Sequence, residues 1–92
     1  MYRILFVEDD EAIRFLVSCY SFWKNFDFQI AGEASNGEDA LCMMEGNSYD
    51  MILADIRMPK MDGLQMVTKL RESGNNLHVV IASTYSDFKY AK

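Results

Sequence analysis

Tyr49-Asp50-Met51-Ile52-Leu53-Ala54-Asp55-Ile56-Arg57-Met58-Pro59-Lys60-Met61-Asp62-Gly63 joins an apolar run to an acid and a proline-containing loop. Met51 to Ala54 is a continuous apolar run of strand length, the pattern of a strand buried on both faces. It stops at a carboxylate, Asp55. The loop from Asp55 to Asp62 holds the only proline of the chain. Beyond it Leu64, Val67 and Leu70 recur at helical spacing, and Gly74 supplies the stop. Strand, acid, loop and helix make one β-α unit.

The flanking sequence holds no repeat, but its apolar blocks alternate in period in the same way. Ile4-Leu5-Phe6-Val7 predicts a first buried strand, followed at once by Glu8-Asp9-Asp10. Ile13, Leu16, Val17 and Tyr20 then predict an amphipathic helix ending near Lys24-Asn25, with Asp10 as its N-cap. Phe28, Ile30 and Ala34 alternate with Gln29, Ala31 and Glu33, which suits a half-polar edge strand. Ser35-Asn36-Gly37-Glu38 has capping-box spacing ahead of Ala40, Leu41 and Met44, and Gly46-Asn47-Ser48 ends that helix. Val79-Val80-Ile81-Ala82 is a fourth strand, and Tyr85, Phe88 and Ala91 open a fourth helix. The order β-α-β-α-β-α-β-α predicts a parallel sheet with helices on both faces. With the second strand at an edge, the strand order is 2-1-3-4, a flavodoxin-like doubly wound α/β fold.

A chain of 92 residues allows one domain, burying roughly 60–68% of its unfolded surface. Hydrophobic residues make up 50% and charged ones 25%, a globular composition that excludes disorder. Fourteen acids against nine bases give a net charge of −5, which speaks against direct nucleic acid binding by this segment. Two cysteines, Cys19 and Cys42, and a single histidine make no zinc ligand set and suit free thiols in a reducing compartment. No apolar run approaches the roughly 18 residues of a membrane span. Acids cut off the short apolar N-terminus, unlike a signal peptide. A cytoplasmic protein with no membrane contact is expected.

In such a sheet, ligands bind beyond the carboxyl ends of the strands at the topological switch point. Here that point lies between the first and third strands, where at least three of the carboxylates Glu8, Asp9, Asp10 and Asp55 must converge. Two carboxylates about 4 Å apart repel by roughly 4 kcal/mol at an effective dielectric of about 20. A fold tolerates this if acids are protonated, if a basic group intervenes, if a cation binds, or if the acids merely cap helices. An all-oxygen ligand set suits Mg²⁺. Asp55 stands alone on its strand and can act as a nucleophile on phosphorus, giving an aspartyl phosphate. Ser83, directly after the fourth strand, offers a hydroxyl to a phosphoryl oxygen, and Thr84 reads as a helix cap.

The stretch from Tyr49 to Gly63, together with Arg3-Ile4-Leu5-Phe6-Val7-Glu8-Asp9-Asp10 and Asn36-Gly37-Glu38-Asp39-Ala40-Leu41, resembles the receiver domain of two-component response regulators. The resemblance runs over the whole chain. It implies Asp55 as phosphoacceptor and Ser83 as switch hydroxyl. It implies Asp9 as a direct Mg²⁺ ligand, Glu8 as one acting through water, and the backbone carbonyl of Arg57 as a further ligand. It also implies a sensor histidine kinase as partner and self-catalysed phosphoryl transfer rather than enzymatic turnover. Tyr85 to Lys92, Trp23 and Ala31 to Gly37 resemble receivers that precede AraC-type helix-turn-helix output domains, so transcription control through an attached DNA-binding domain is implied.

The alternative function is a receiver-like interaction module that is not phosphorylated. A phosphatase would need a second acid two residues after Asp55, where Arg57 stands. The family also carries a fifth strand, with a lysine that pairs with the phosphoryl group, and a fifth helix. Residues 1–92 are therefore expected to form a receiver incomplete at its C-terminus. Self-association is expected, through the exposed fourth strand or through the face left bare by the missing helix. His78 is expected to be exposed, and most methionines to fill helix faces in the core. Tyr85, Phe88 and Tyr90 suit a partner surface or the core.

Overall fold

In the computed structural model, which describes residues 2–19, 25–56 and 58–82, the four apolar runs form four strands. The elements are β1 (Tyr2–Val7), α1 (Glu11–Cys19), β2 (Phe28–Ala34), α2 (Gly37–Gly46), β3 (Met51–Asp55), α3 (Gly63–Glu72) and β4 (His78–Ala82). All three strand pairings are parallel and the sheet order is β2-β1-β3-β4, as expected for a flavodoxin-like α/β fold. The half-polar strand lies at an edge, where its exposed positions, Gln29 and Glu33, reach water. Right-handed crossovers then put α1 on one face and α2 and α3 on the other. On that second face Leu5, Val7, Ile52 and Ala54 pack with Ala40, Met66 and Leu70. Ile4 and Phe6 alternate to the opposite face of β1 and are buried as well.

The helices differ from the expected ones in three places, two of them in the buried face and one at an N-cap. In α1, Leu16 was expected in the core but is 67% exposed, while Ile13, Arg14 and Val17 are half-buried. The helix is turned so that Arg14 faces inward, where its guanidinium finds oxygen acceptors. In α3, Leu64 was expected in the core but faces solvent. The buried positions are Gly63, Met66 and Leu70, one step round the helix. In α2, the N-cap is Asn36 rather than Ser35, since the Asp39 amide donates to Asn36 Oδ1 at 2.9 Å. The expected Ser35–Glu38 box does not form because the helix begins at Gly37, whose N–H is held by the Met61 carbonyl at 2.9 Å. A reciprocal box occurs in α3 instead, between Asp62 and Gln65.

The alternation read along β2 also breaks. Ile4 pairs with Ile30 but Leu5 pairs with Gly32, so Ala31 forms a bulge. Phe28 and Ile30 therefore face one side of the sheet, and Gly32 and Ala34 the other. His78 opens β4 rather than preceding it, and it is exposed as expected. Several expectations fall outside the described residues: the end of the first helix within 20–24, Trp23, Arg57, Ser83, Thr84, and the fourth helix with Tyr85, Phe88 and Tyr90.

The corrected phase of α3 has a measurable consequence. Met66 is fully buried, so Met66→Ala is expected to cost about 2–5 kcal/mol in urea unfolding. Leu64→Ala should stay within about 0.5 kcal/mol of the parent, as an exposed substitution. Equal costs for the two would refute this packing.

Candidate functional site

The register of the central strands builds the site. Val7 of β1 lies opposite Ala54 of β3, so the next residues, Glu8 and Asp55, emerge side by side at one end of the sheet. Carboxylate oxygens of Glu8, Asp9 and Asp55 all lie within 4.8 Å of one another. Glu8 is 4% and Asp55 5% exposed, whereas Asp9 reaches solvent. The fourth acid is used differently. Asp10 Oδ1 accepts the amides of Ala12 at 2.9 Å and Ile13 at 3.3 Å, capping α1 as expected. The chain thus assigns three acids to the site and one to the helix.

Main-chain tethers hold these acids in place. The Glu8 amide donates to the Ala34 carbonyl at 2.9 Å. The Asp10 amide donates to Glu8 Oε2 at 3.2 Å, and Arg14 Nη1 donates to the Glu8 carbonyl at 2.6 Å. On the other side, the Gly63 amide donates to the Ile56 carbonyl at 2.8 Å, closing the loop after Asp55 onto the start of α3. A Cβ at Gly63 would stand 2.5 Å from the Asp55 carbonyl oxygen. Gly63 is therefore the residue that allows α3 to begin against the backbone of Asp55.

Burial raises the Glu8 carboxyl from 4.5 to about 7. A hydrogen bond with Asp9 and the charges of Asp55 and Asp9 push the same way, and the Asp10 amide opposes them. The fold thus relieves carboxylate crowding in part by favouring the protonated form of Glu8. A cation offers the other relief, and the donor set fits one: three carboxylates, all oxygen, with Asp9 open to water as a hydrated Mg²⁺ requires.

The sign of the pH dependence follows. Glu8 binds its proton more tightly when folded, so its contribution to stability is complete below about 4.5 and is lost as pH rises through about 7. In chelator, the melting temperature is expected to fall across that window. Glu8→Gln should flatten the slope. An identical slope in the variant would assign the dependence to other groups.

The structure brings together Glu8, Asp9 and Asp55, as the strand-end argument required. It also adds Arg14 and Gly63, which sequence reasoning missed. Arg14 lies one position off the apolar stripe and periodicity assigns it to solvent. Gly63 stood in the quoted stretch, but its role depends on a contact between segments. Arg57 and Ser83, the remaining site residues expected from the resemblance, are not among the described residues. Among those described, no helix is long and apolar enough to cross a membrane.

Comparison with known proteins gives a consistent picture. A family model described as the response regulator receiver domain matches residues 4–92. The transcriptional regulatory protein SrrA of Staphylococcus aureus is 44% identical over 70 residues, which is 76% of this chain and 28% of that protein. A two-component transcriptional regulator AraC from Clostridium phytofermentans aligns with a TM-score of 0.81 at 30% identity, over 98% of this chain and 73% of that one. TrrA from Thermotoga maritima, solved in complex with Mg²⁺-BeF, aligns with a TM-score of 0.78 at 28% identity, over 98% and 76% of the two chains. The chain spans about 28% of the length of the curated relatives it matches.

Proposed function

The chain belongs to the response regulator receiver domain family, and from that membership we propose that it is a Mg²⁺-dependent phosphoacceptor whose Asp55 takes a phosphoryl group from a sensor histidine kinase. The convergence of Glu8, Asp9 and Asp55 within 4.8 Å carries this reading. A bound Mg²⁺ would be held by these carboxylates and would offset charge on the transferring phosphoryl group. Asp55 supplies the nucleophile. One of its oxygens forms the bond to phosphorus as the P–N bond to the donor histidine breaks, and the electron pair leaves on the imidazole nitrogen. Burial of Glu8 and Asp55 restricts water around the reacting carboxylate. The chain is changed by the transfer and does not turn over, so it acts as a signalling module rather than an enzyme. In a longer regulator it would control an attached DNA-binding domain in the cytoplasm; SrrA and the Clostridium phytofermentans relative are transcriptional regulators.

The test is the intact mass after incubation with acetyl phosphate and Mg²⁺. A gain of one phosphoryl group, abolished by chelator, is expected. No gain would overturn the reading and leave the alternative, a receiver-like module that works by docking alone.

The 92-residue chain should also self-associate. Val80 lies on the α1 side of the sheet, paired in register with Leu53, and is 46% exposed. On α1, Phe15 and Leu16 are exposed too. An apolar strand at a sheet edge is a template for pairing with a second chain. Light scattering is expected to give a mass above that of the monomer, rising with concentration. A monodisperse monomer would count against it.

A further inference from the structure

We infer that Arg14 is a positioning residue for the Mg²⁺ site, acting through the main chain of Glu8; the inference rests on the reading of that site as a Mg²⁺ site. Arg14 is a charged helix residue turned inward, with its side chain 19% exposed. Its Nη1 donates to the Glu8 carbonyl at 2.6 Å. Its Nε lies 3.8 Å from Glu33 Oε1 on β2. One guanidinium therefore joins α1, the β1–α1 turn and the edge strand.

The carbonyl it holds belongs to the peptide that links Glu8 to Asp9. The torsions on either side of that peptide, ψ of Glu8 and φ of Asp9, set where the two side chains stand relative to one another, and holding the carbonyl limits both. The other tethers of the turn fix its ends. The Glu8 amide is bound to Ala34, and Asp10 is bound to the first amides of α1. Arg14 supplies the hold on the peptide between them. The planar guanidinium suits this role because it can direct separate N–H groups at the carbonyl and at Glu33. Outer partners of metal ligands commonly change metal affinity or activity by about 10–100-fold when removed.

The test is Mg²⁺ binding by the whole 92-residue chain, followed calorimetrically with Mg²⁺ alone. Arg14→Met keeps helix propensity and the apolar stem but removes every donor. It is expected to weaken Mg²⁺ about ten-fold or more. Arg14→Lys restores a donor that can reach the carbonyl and should return to within about three-fold of the parent. Melting in chelator reports the purely structural share, which by itself would leave the dissociation constant unmoved. Arg14→Met binding within about two-fold of the parent, while Asp9→Asn loses binding, would overturn the inference and leave the site reading intact. A parent chain that binds no Mg²⁺ would overturn both. If Arg14→Met does not fold, Glu33→Gln loosens Arg14 without touching either acid. It should bind about three-fold more weakly, and unchanged affinity would overturn the inference.

Discussion

Asp55→Asn is expected to abolish phosphoryl uptake and, at the same time, to raise the melting temperature of the metal-free chain. The amide matches the carboxylate in shape but lacks an anionic oxygen, so it cannot attack phosphorus. The stability change has a separate cause. Three carboxylates stand within 4.8 Å of one another, and a pair at about 4 Å repels by roughly 4 kcal/mol at an effective dielectric of about 20. Removing one charge relieves its share of that repulsion. A gain of only about 1 kcal/mol would raise the melting temperature of a domain this size by about 4–8 °C. Loss of uptake in a more stable protein separates a missing nucleophile from a damaged fold. Intact mass after acetyl phosphate and Mg²⁺, with calorimetry in chelator, reads both effects. Uptake that persists in the variant would place the acceptor elsewhere. A lower melting temperature would mean that Asp55 supports the fold rather than straining it.

The strain was legible in the sequence because it depends on topology alone. Continuous apolar runs mark buried parallel strands, and the alternation of β and α fixes where their carboxyl ends meet. Acids that follow two such runs must then share a crevice, whatever the side-chain detail. Helix faces were less legible. In α1 and α3 a nine- or ten-residue helix offers two overlapping stripes about 100° apart, and Leu16 and Leu64 belong to the stripe that the fold does not bury. A long-range acceptor decides the phase in α1, where Glu8 and Glu33 draw Arg14 inward. Close packing decides it in α3, where Gly63 touches the Asp55 backbone and brings Met66 into the core. The bulge at Ala31 is of the same kind. It depends on the partner strand, which a local pattern does not contain.

Gly63 gives the second large effect, since it joins the fold to the site. Its backbone is not left-handed, unlike that of Gly74, so its requirement is for space. A Cβ there would lie 2.5 Å from the Asp55 carbonyl oxygen and 3.3 Å from both the Asp55 carbonyl carbon and the Ile56 Cα. All three atoms are backbone and cannot rotate away. Gly63→Ala should therefore push the start of α3 off the β3 end, at a cost of about 1–3 kcal/mol for overpacking. The gain in helix propensity, at most about 1 kcal/mol, offsets only part of this. Gly46→Ala is the control. It lies in the last turn of α2 with nothing within 4 Å of the added methyl, and it should stabilise by about 0.5–1 kcal/mol. The two substitutions are chemically identical and should move urea midpoints in opposite directions. Because the displaced atoms belong to Asp55 itself, Gly63→Ala should also slow labelling by acetyl phosphate, by about 100-fold for each 1 Å of misplacement. Gly63→Ala as stable as the parent would mean that the loop after Asp55 yields freely. Gly63 would then have no part in holding the acceptor beside Glu8 and Asp9.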